Sequence, residues 1–406
     1  MSSSVTVVGG VNNATISGTV SVPVSGLSTS ALTSLQSSLS ALSISVAGGT
    51  EGLTNSDLAN GSVYGSTVSG TGNLLVLSNT DSVGATTAGS VSNVVGVSSI
   101  YSSVVVQAPG ALTLNGSGAT TTNYLLGASS NVDLFTGTGM NSVVAAGGTD
   151  TINMLGTTAV TVSAGDDTVK TYAGSNTVVA TGSASVYAGT PIGYAGSVDF
   201  INGSVAGSMN AGAGKATVFG GNGGGTFIGG TSGSNSLVGG NGSVFLVGGG
   251  NNDTLVAGGG GATSSSGANY LFAGAGNETL MATSVTGTNL FSAGSGSDVM
   301  MGSGKDTQYF FGSTGSATMA GSTMTGSSNI FFFGTSGNSG GNDVITNFGK
   351  TSQLFAVDGT NIAAITQVTT SGSPGALVTL SDGTHITLTG VSAASIQGSI
   401  GTSSIA

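Results

Sequence analysis

Apolar and polar positions alternate in short bursts along this chain, and glycine separates the bursts at a nearly constant interval. From Ala211 to Val256 the sequence divides itself as AGAGKATVF, GGNGGGTFI, GGTSGSNSLV, GGNGSVFLV and GGGNNDTLV. Each piece opens on Gly-Gly or Ala-Gly and closes on apolar or β-branched residues. Between Asn141 and Tyr187 the same beat runs with less glycine. There a small or acidic residue precedes each alternating stretch, at Asn141, Asp150, Ala159, Asp167, Asn176 and Ala184. Strands of about five residues, each followed by a glycine turn, predict a parallel β-solenoid or β-roll. Glycine suits the turns because it adopts positive φ without strain.

A longer beat lies over the short one. Asn269-Tyr-Leu-Phe, Asn289-Leu-Phe, Gln308-Tyr-Phe and Asn329-Ile-Phe-Phe recur about every twenty residues. Two short pieces plus a turn adjustment make one coil of about 18–21 residues, so each of these segments predicts one turn of the solenoid. The pattern predicts an interior ladder of Phe272, Phe291, Phe310 and Phe332, flanked by a hydrogen-bonded ladder of the Asn and Gln side chains. From 61 to 130 strand-like pieces persist (NLLVL, VSNVVGV, IYSSVVVQ, ALTLNG, NYLLG) with weaker glycine punctuation.

The ends differ. VTVVGG, ATISGTVSVPVSG and SISVAGG look like strands, whereas Leu32, Leu35, Leu39 and Leu42 fall at helical spacing, with Ser28 or Thr29 placed to cap that helix. At the other end VTLSDGTHITL reads as a hairpin, Ser-Asp-Gly-Thr joining two alternating strands. The expected fold is therefore all-β: a parallel solenoid over 61–345, an N-terminal cap with a short helix over 1–60, and a C-terminal β-hairpin cap over 346–406.

Composition sharpens this picture. Glycine accounts for 75 of 406 residues and charged residues for only 5%, against about a quarter in ordinary soluble domains. Disorder is disfavoured, because disordered chains combine low hydrophobicity with high charge, and mean hydropathy here is positive. No run of about twenty apolar residues marks a membrane span. Four lysines against fifteen acids leave a net charge of −11, which argues against nucleic acid as a partner. The absence of cysteine excludes disulfides and thiolate metal sites. The opening MSSSVTVVGG has neither the basic nor the apolar region of a secretory signal peptide, so the chain is expected either to be cytoplasmic or to be exported by a route that does not read the N-terminus.

Four segments, GGGNNDTLV (Gly248–Val256), AGAGNETLM (Ala273–Met281), AGSGSDVMM (Ala293–Met301) and MGSGKDTQY (Met301–Tyr309), resemble the RTX repeat, G-G-x-G-x-D-x-U-x. The resemblance implies a parallel β-roll in which turn carbonyls and the sixth-position aspartates of neighbouring coils bind calcium, a cation that takes six to eight oxygens. Across the opening stretch the sixth position is Ala216, Gly225, Ser234 and Val244 before it reaches Asp253, so most turns lack the charged ligand. The expected stacked pairs are Glu278 with Asp298 and Asp150 with Asp167. Asp166, Asp253 and Asp306 are further candidates, and each acid also has the plainer reading of a turn residue bonded to its own backbone.

The C-terminal segment GGNDVITNFG, followed by the hairpin, resembles the end of RTX proteins sent through a type I, ABC-transporter-driven channel. Asn347 stands where that pattern has its second aspartate. No catalytic constellation is visible. One histidine, His385, cannot make an H-E-x-x-H zinc site, and the glycine loops lack the Lys-Ser/Thr of a phosphate cradle. The expected function is structural: a secreted protein at the cell surface or outside it. It would polymerise with itself into a filament, surface layer or biofilm matrix, with an ABC-type exporter as its partner during secretion. The alternative is an adhesin that recognises extracellular polysaccharide or another cell.

Overall fold

The structure, a computed structural model, describes residues 2–11, 14–23, 53–57, 66–68, 74–78, 93–97, 101–106, 110–118, 122–127, 130–162, 166–180, 182–188, 196–258, 267–283, 287–334 and 340–402. The chain divides into two compact units, Met1–Gly214 and Lys215–Ala406. Each is a parallel β-solenoid with coils about 20 residues apart. The expected helix around Leu32, Leu35, Leu39 and Leu42 lies outside the described residues, as does SISVAGG. Ser2–Val11 and Ala14–Pro23 are strands and pair antiparallel.

In the second unit, strands alternate between two sheets. One contains Lys215–Phe219, Ser236–Val238, Thr254–Ala257, Thr279–Ala282, Ser297–Met301, Ser316–Ala320 and Asn342–Thr346. The other contains Gly225–Ile228, Val244–Val247, Ala268–Phe272, Thr288–Ser292, Thr307–Phe311, Ser328–Phe333 and Ser352–Ala356. Because side chains alternate across a strand, each sheet turns one column inward on every second residue. The first sheet contributes Leu237, Leu255, Leu280, Met300, Met319 and Ile345, in register from coil to coil. The second contributes Leu246, Leu271, Phe291, Phe310, Phe331 and Leu354. Every one of these side chains is fully buried. The first unit repeats the plan, with Leu114, Leu134, Ile152, Val169, Val186 and Met209 forming one buried column.

The aromatic ladder exists, but its members differ from the expected set. Phe291, Phe310 and Phe331 stack inside, at centroid distances of 5.0 and 4.8 Å. Phe272 and Phe332 lie in a second, half-buried column on the outer face, which also holds Phe311 and Phe355. The reason is the two-residue period: the interior residue is the one two places after the amide, which is leucine in Asn269-Tyr-Leu-Phe and phenylalanine in Asn289-Leu-Phe. The amide ladder itself is present as expected. Asn269, Asn289, Gln308 and Asn329 are buried and in register. Asn269 Nδ2 donates to Asn289 Oδ1, and Asn289 Nδ2 donates to Gln308 Oε1, both at 2.9 Å.

The turns need glycine for space as well as conformation. A methyl group at Gly240, where φ is +69°, would run into the Gly221 carbonyl of the preceding coil. At the C-terminal end, Ser373–Leu380 and His385–Thr389 form the expected antiparallel hairpin, and Ile362–Thr370 adds a third strand to it. His385–Thr389 also pairs in parallel with Asn342–Thr346, so the hairpin continues the first sheet.

Phe310 is fully buried between two rings, so Phe310→Ala is expected to cost about 3–5 kcal/mol, and Phe245→Ala on the outer face under about 1 kcal/mol. Urea unfolding of the two variants measures the difference; equal losses would contradict the assigned ladder.

Candidate metal centre: buried acids at the strand entries

In a parallel ladder, the first amide of a strand loses its backbone partner where the chains diverge into the turn. This solenoid fills that gap with a side chain from the next coil. Asp253 Oδ1 accepts the N–H of Asn235 at 2.6 Å, Asp298 Oδ1 that of Glu278 at 2.9 Å, and Asp343 Oδ1 that of Ala317 at 2.8 Å. In the first unit Asp150 Oδ1 accepts the N–H of Val132, and Asp167 Oδ1 that of Asp150, both at 2.7 Å. Asparagine does the same at Asn141 for Thr122, at Asn235 for Ala216 and at Asn269 for Val244. A backbone bond completes the contact: the residue after the acid donates back to the held residue, as Thr254 does to the Asn235 carbonyl and Thr168 to that of Asp150.

This geometry places the sequence candidates. Asp150 and Asp167 stack on consecutive coils, and Asp253, Glu278 and Asp298 occupy one column. All five are buried. In the ten-residue piece the column position is Asn235; Ser234, counted as sixth, is exposed. Asp306 stands apart. It is exposed and accepts the N–H of Gly287 beside a cavity of about 340 Å³, while Gln308 takes the column position in its strand. Asp166 is exposed as well. Asp343 belongs to the same column as Asp298, with Ala317 between them, but sequence reasoning assigned it only to the terminal segment. Its signal was hidden because 26 residues separate it from Ala317, which breaks the nine-residue count.

The second carboxylate oxygens divide these acids into two groups. Asp253 Oδ2 accepts the N–H groups of Gly249 and Gly250, and Asp298 Oδ2 that of Gly294, so both acids grip their own turns and have no oxygen to spare. By contrast, Asp150 Oδ2, Asp167 Oδ2, Asp343 Oδ2 and both Glu278 oxygens are buried and have no hydrogen-bond partner among the described residues. A buried, unpartnered carboxylate oxygen is costly and either takes a proton or takes a cation. Burial accordingly pushes Asp150 and Asp343 up to about 7 and Asp167 to about 6. Glu278 is also raised, by burial first and then by the neighbouring Asp298 carboxylate.

Other oxygens lie close to two of these orphans. A methyl group at Gly276 would stand 2.8 Å from Glu278 Oε1 and 2.7 Å from Asn251 Oδ1. One at Gly341 would meet the carbonyls of Gly315 and Ser313 and lie 3.3 Å from Asp343 Oδ2. Carboxylate, amide and carbonyl oxygens gathered at a glycine turn suit a hard cation. Among the described residues no three acids or histidines are grouped so as to hold a metal ion by themselves, so any such site depends on these neutral oxygens.

A glycine-turned parallel solenoid with acids at its strand entries defines the class of protein. Residues 229–263 and 262–284 match the family model of the RTX calcium-binding nonapeptide repeat (4 copies). RTX nonapeptide repeats bind calcium, and the matched repeats together with the parallel solenoid fit a degenerate RTX β-roll protein. No curated protein and no solved structure matches the chain.

The raised acids set a pH dependence. Their folded values lie above the ordinary carboxylate value, so the stability they contribute is complete below about pH 4 and is lost as pH rises through 6–7. Calcium-free protein is therefore expected to melt at a lower temperature at pH 8 than at pH 5, and millimolar calcium at pH 8 should recover the loss. Melting in chelator that rises from pH 5 to pH 8 would contradict this assignment.

Proposed function

We propose that this chain is a secreted structural protein that assembles with itself into an extracellular filament, surface layer or biofilm-matrix material. The observation that carries the reading is the strand Ile362–Thr370. It is hydrogen-bonded to Ser373–Leu380 along one edge and exposed at Ala363, Ala364, Thr366, Gln367 and Thr369. Its nine residues include no proline and no charge, the features that ordinarily keep a strand edge from pairing with another chain. Strand addition from a second copy is the direct use of such an edge. A structural role also agrees with the RTX β-roll repeat being typically non-enzymatic, and among the described residues no helix is long and apolar enough to cross a membrane.

In this reading residues 61–345 are the body of the solenoid, 1–60 its N-terminal cap, and 346–406 a closing cap whose strands Ser352–Ala356 and His385–Thr389 continue the two sheets and which also addresses the chain to an ABC-type exporter. RTX proteins are exported by type I systems, and the Asp343–Phe348 segment with its hairpin supports the same route. Calcium is assigned to the acids with unpartnered oxygens, the Asp150–Asp167 pair, Glu278 and Asp343. Asp253 and Asp298 stabilise the turns beside it, and Asp306 is the exposed, weaker candidate.

Expression beside an ABC exporter, followed by negative-stain microscopy of the medium with and without chelator, tests both parts. Filaments or sheets are expected from the full chain, and retention inside the cell from a chain ending before residue 340. Dispersed particles alone at high concentration would overturn assembly, and normal release of the truncated chain would overturn the export route.

A further inference from the structure

The second sheet of the Lys215–Ala406 unit has an outer face that the ladder chemistry does not use. Two outward columns run along it. One carries Phe245, Tyr270 and Tyr309, and the other carries Phe272, Phe311 and Phe332. Phe245 and Tyr270 are 38% and 40% exposed, and the other four are half-buried. The rings already touch along and across the columns: Phe245 with Phe272 at 5.1 Å, Phe311 with Phe332 at 4.9 Å, Tyr309 with Phe332 at 6.3 Å. They therefore form a rigid surface that loses little side-chain freedom on binding.

We propose that this aromatic face is the lateral contact between two copies of the chain, each presenting the same face to the other about a two-fold axis. The proposal rests on the assembly reading above and adds to it a surface distinct from the Ile362–Thr370 edge.

Three observations favour a second copy as the occupant. The first is charge. None of the seven strands from Gly225–Ile228 to Ser352–Ala356 contains an acidic or basic residue, so two identical faces meet without repulsion despite a net charge of −11. The second is shape. Columns that repeat at the strand spacing of about 4.8 Å have the same pitch on both copies, so their rings can interleave as two sheets pack about 10 Å apart. The third is area. Seven strands of four to six residues give a footprint of about 500 Å² per copy, hence about 1,000 Å² for the pair, near the lower limit for a specific contact. That size predicts reversible, concentration-dependent association.

Other occupants fit less well. A chain with four lysines and none on this face has no attraction for anionic lipid headgroups. A sugar surface calls for polar groups set among the rings, whereas Thr288, Thr307 and Ser328 form a separate column at the strand starts and, of the side chains other than tyrosine, only Thr226, Ser292 and Gln353 are polar in the ring columns.

Sedimentation velocity of the full-length protein over a wide concentration range tests the proposal. The comparison set is Phe245→Lys/Phe311→Lys, the milder Tyr270→Ser, and Met301→Lys on the outer face of the other sheet. Wild-type protein should associate. The double variant should raise the concentration for half-association at least tenfold, Tyr270→Ser should raise it severalfold, and Met301→Lys should leave it within twofold of wild type. Tyr270→Ser keeps the test valid if the double variant does not fold. Variants that associate as wild type does would overturn this surface and leave the assembly reading standing. A wild-type protein that stays monomeric at every concentration would overturn both. Monomeric wild type that instead floats with phosphatidylcholine vesicles or pellets with cellulose through Tyr270 would assign the face to that occupant and overturn the proposal.

Discussion

The amide at the entrance of each strand must be given a partner, and the way this is done organises the rest of the molecule. A parallel solenoid pairs its strands by backbone bonds, but at each glycine turn the chains separate and leave an N–H pointing at the coil above. Here an Asp or Asn of that next coil reaches back to accept it, at Asn141, Asp150, Asp167, Asn235, Asp253, Asn269, Asp298 and Asp343. Because the acceptor must be buried to reach the amide, the polar ladder runs beside the apolar columns inside the coil. That arrangement fixes the register, since a slip of one residue would turn every hook outward and every core residue with it.

The same contact separates the acids that would have a use for a cation from those that would not. Where the second carboxylate oxygen finds a turn amide, as at Asp253 and Asp298, the hook closes on itself. Asparagine closes it as well, because its Nδ2 can donate to the turn carbonyl, as Asn235 does to Gly230 and Asn141 to Gly137. Asp150, Asp167, Glu278 and Asp343 are left with a buried oxygen that no described residue satisfies, and there a proton or a cation would have a role. The repeats thus differ less in fold than in how each hook completes its bonding. The lateral assembly proposed above is a separate matter, resting on the outer faces.

Much of this was legible in the sequence. The nine-residue glycine beat and the alternation between its turns predicted a parallel solenoid, and the recurrence of Asn269, Asn289, Gln308 and Asn329 predicted the amide ladder, because both follow from strand period alone. What failed did so for identifiable reasons. Phe272 and Phe332 were matched by residue type, although distance from the amide decides which face a residue takes. Asp343 was missed because the insertion before it breaks the count. Asp306 fell at the sixth position of a well-formed repeat, yet its strand begins only at Thr307, and the buried column position is Gln308, two residues on. Which oxygens remain unpartnered depends on turn amides whose direction no repeat pattern encodes.

The central claim is that coils hold one another through these hooks before any metal binds. Amide hydrogen exchange of calcium-free protein, resolved at Asp150, Asn235, Glu278 and Ala317, tests it most directly. These four strand-entry amides are predicted to exchange as slowly as mid-strand amides such as those of Val169 and Leu280. Exchange at the rate of an unprotected chain, slowed only when calcium is added, would contradict the account.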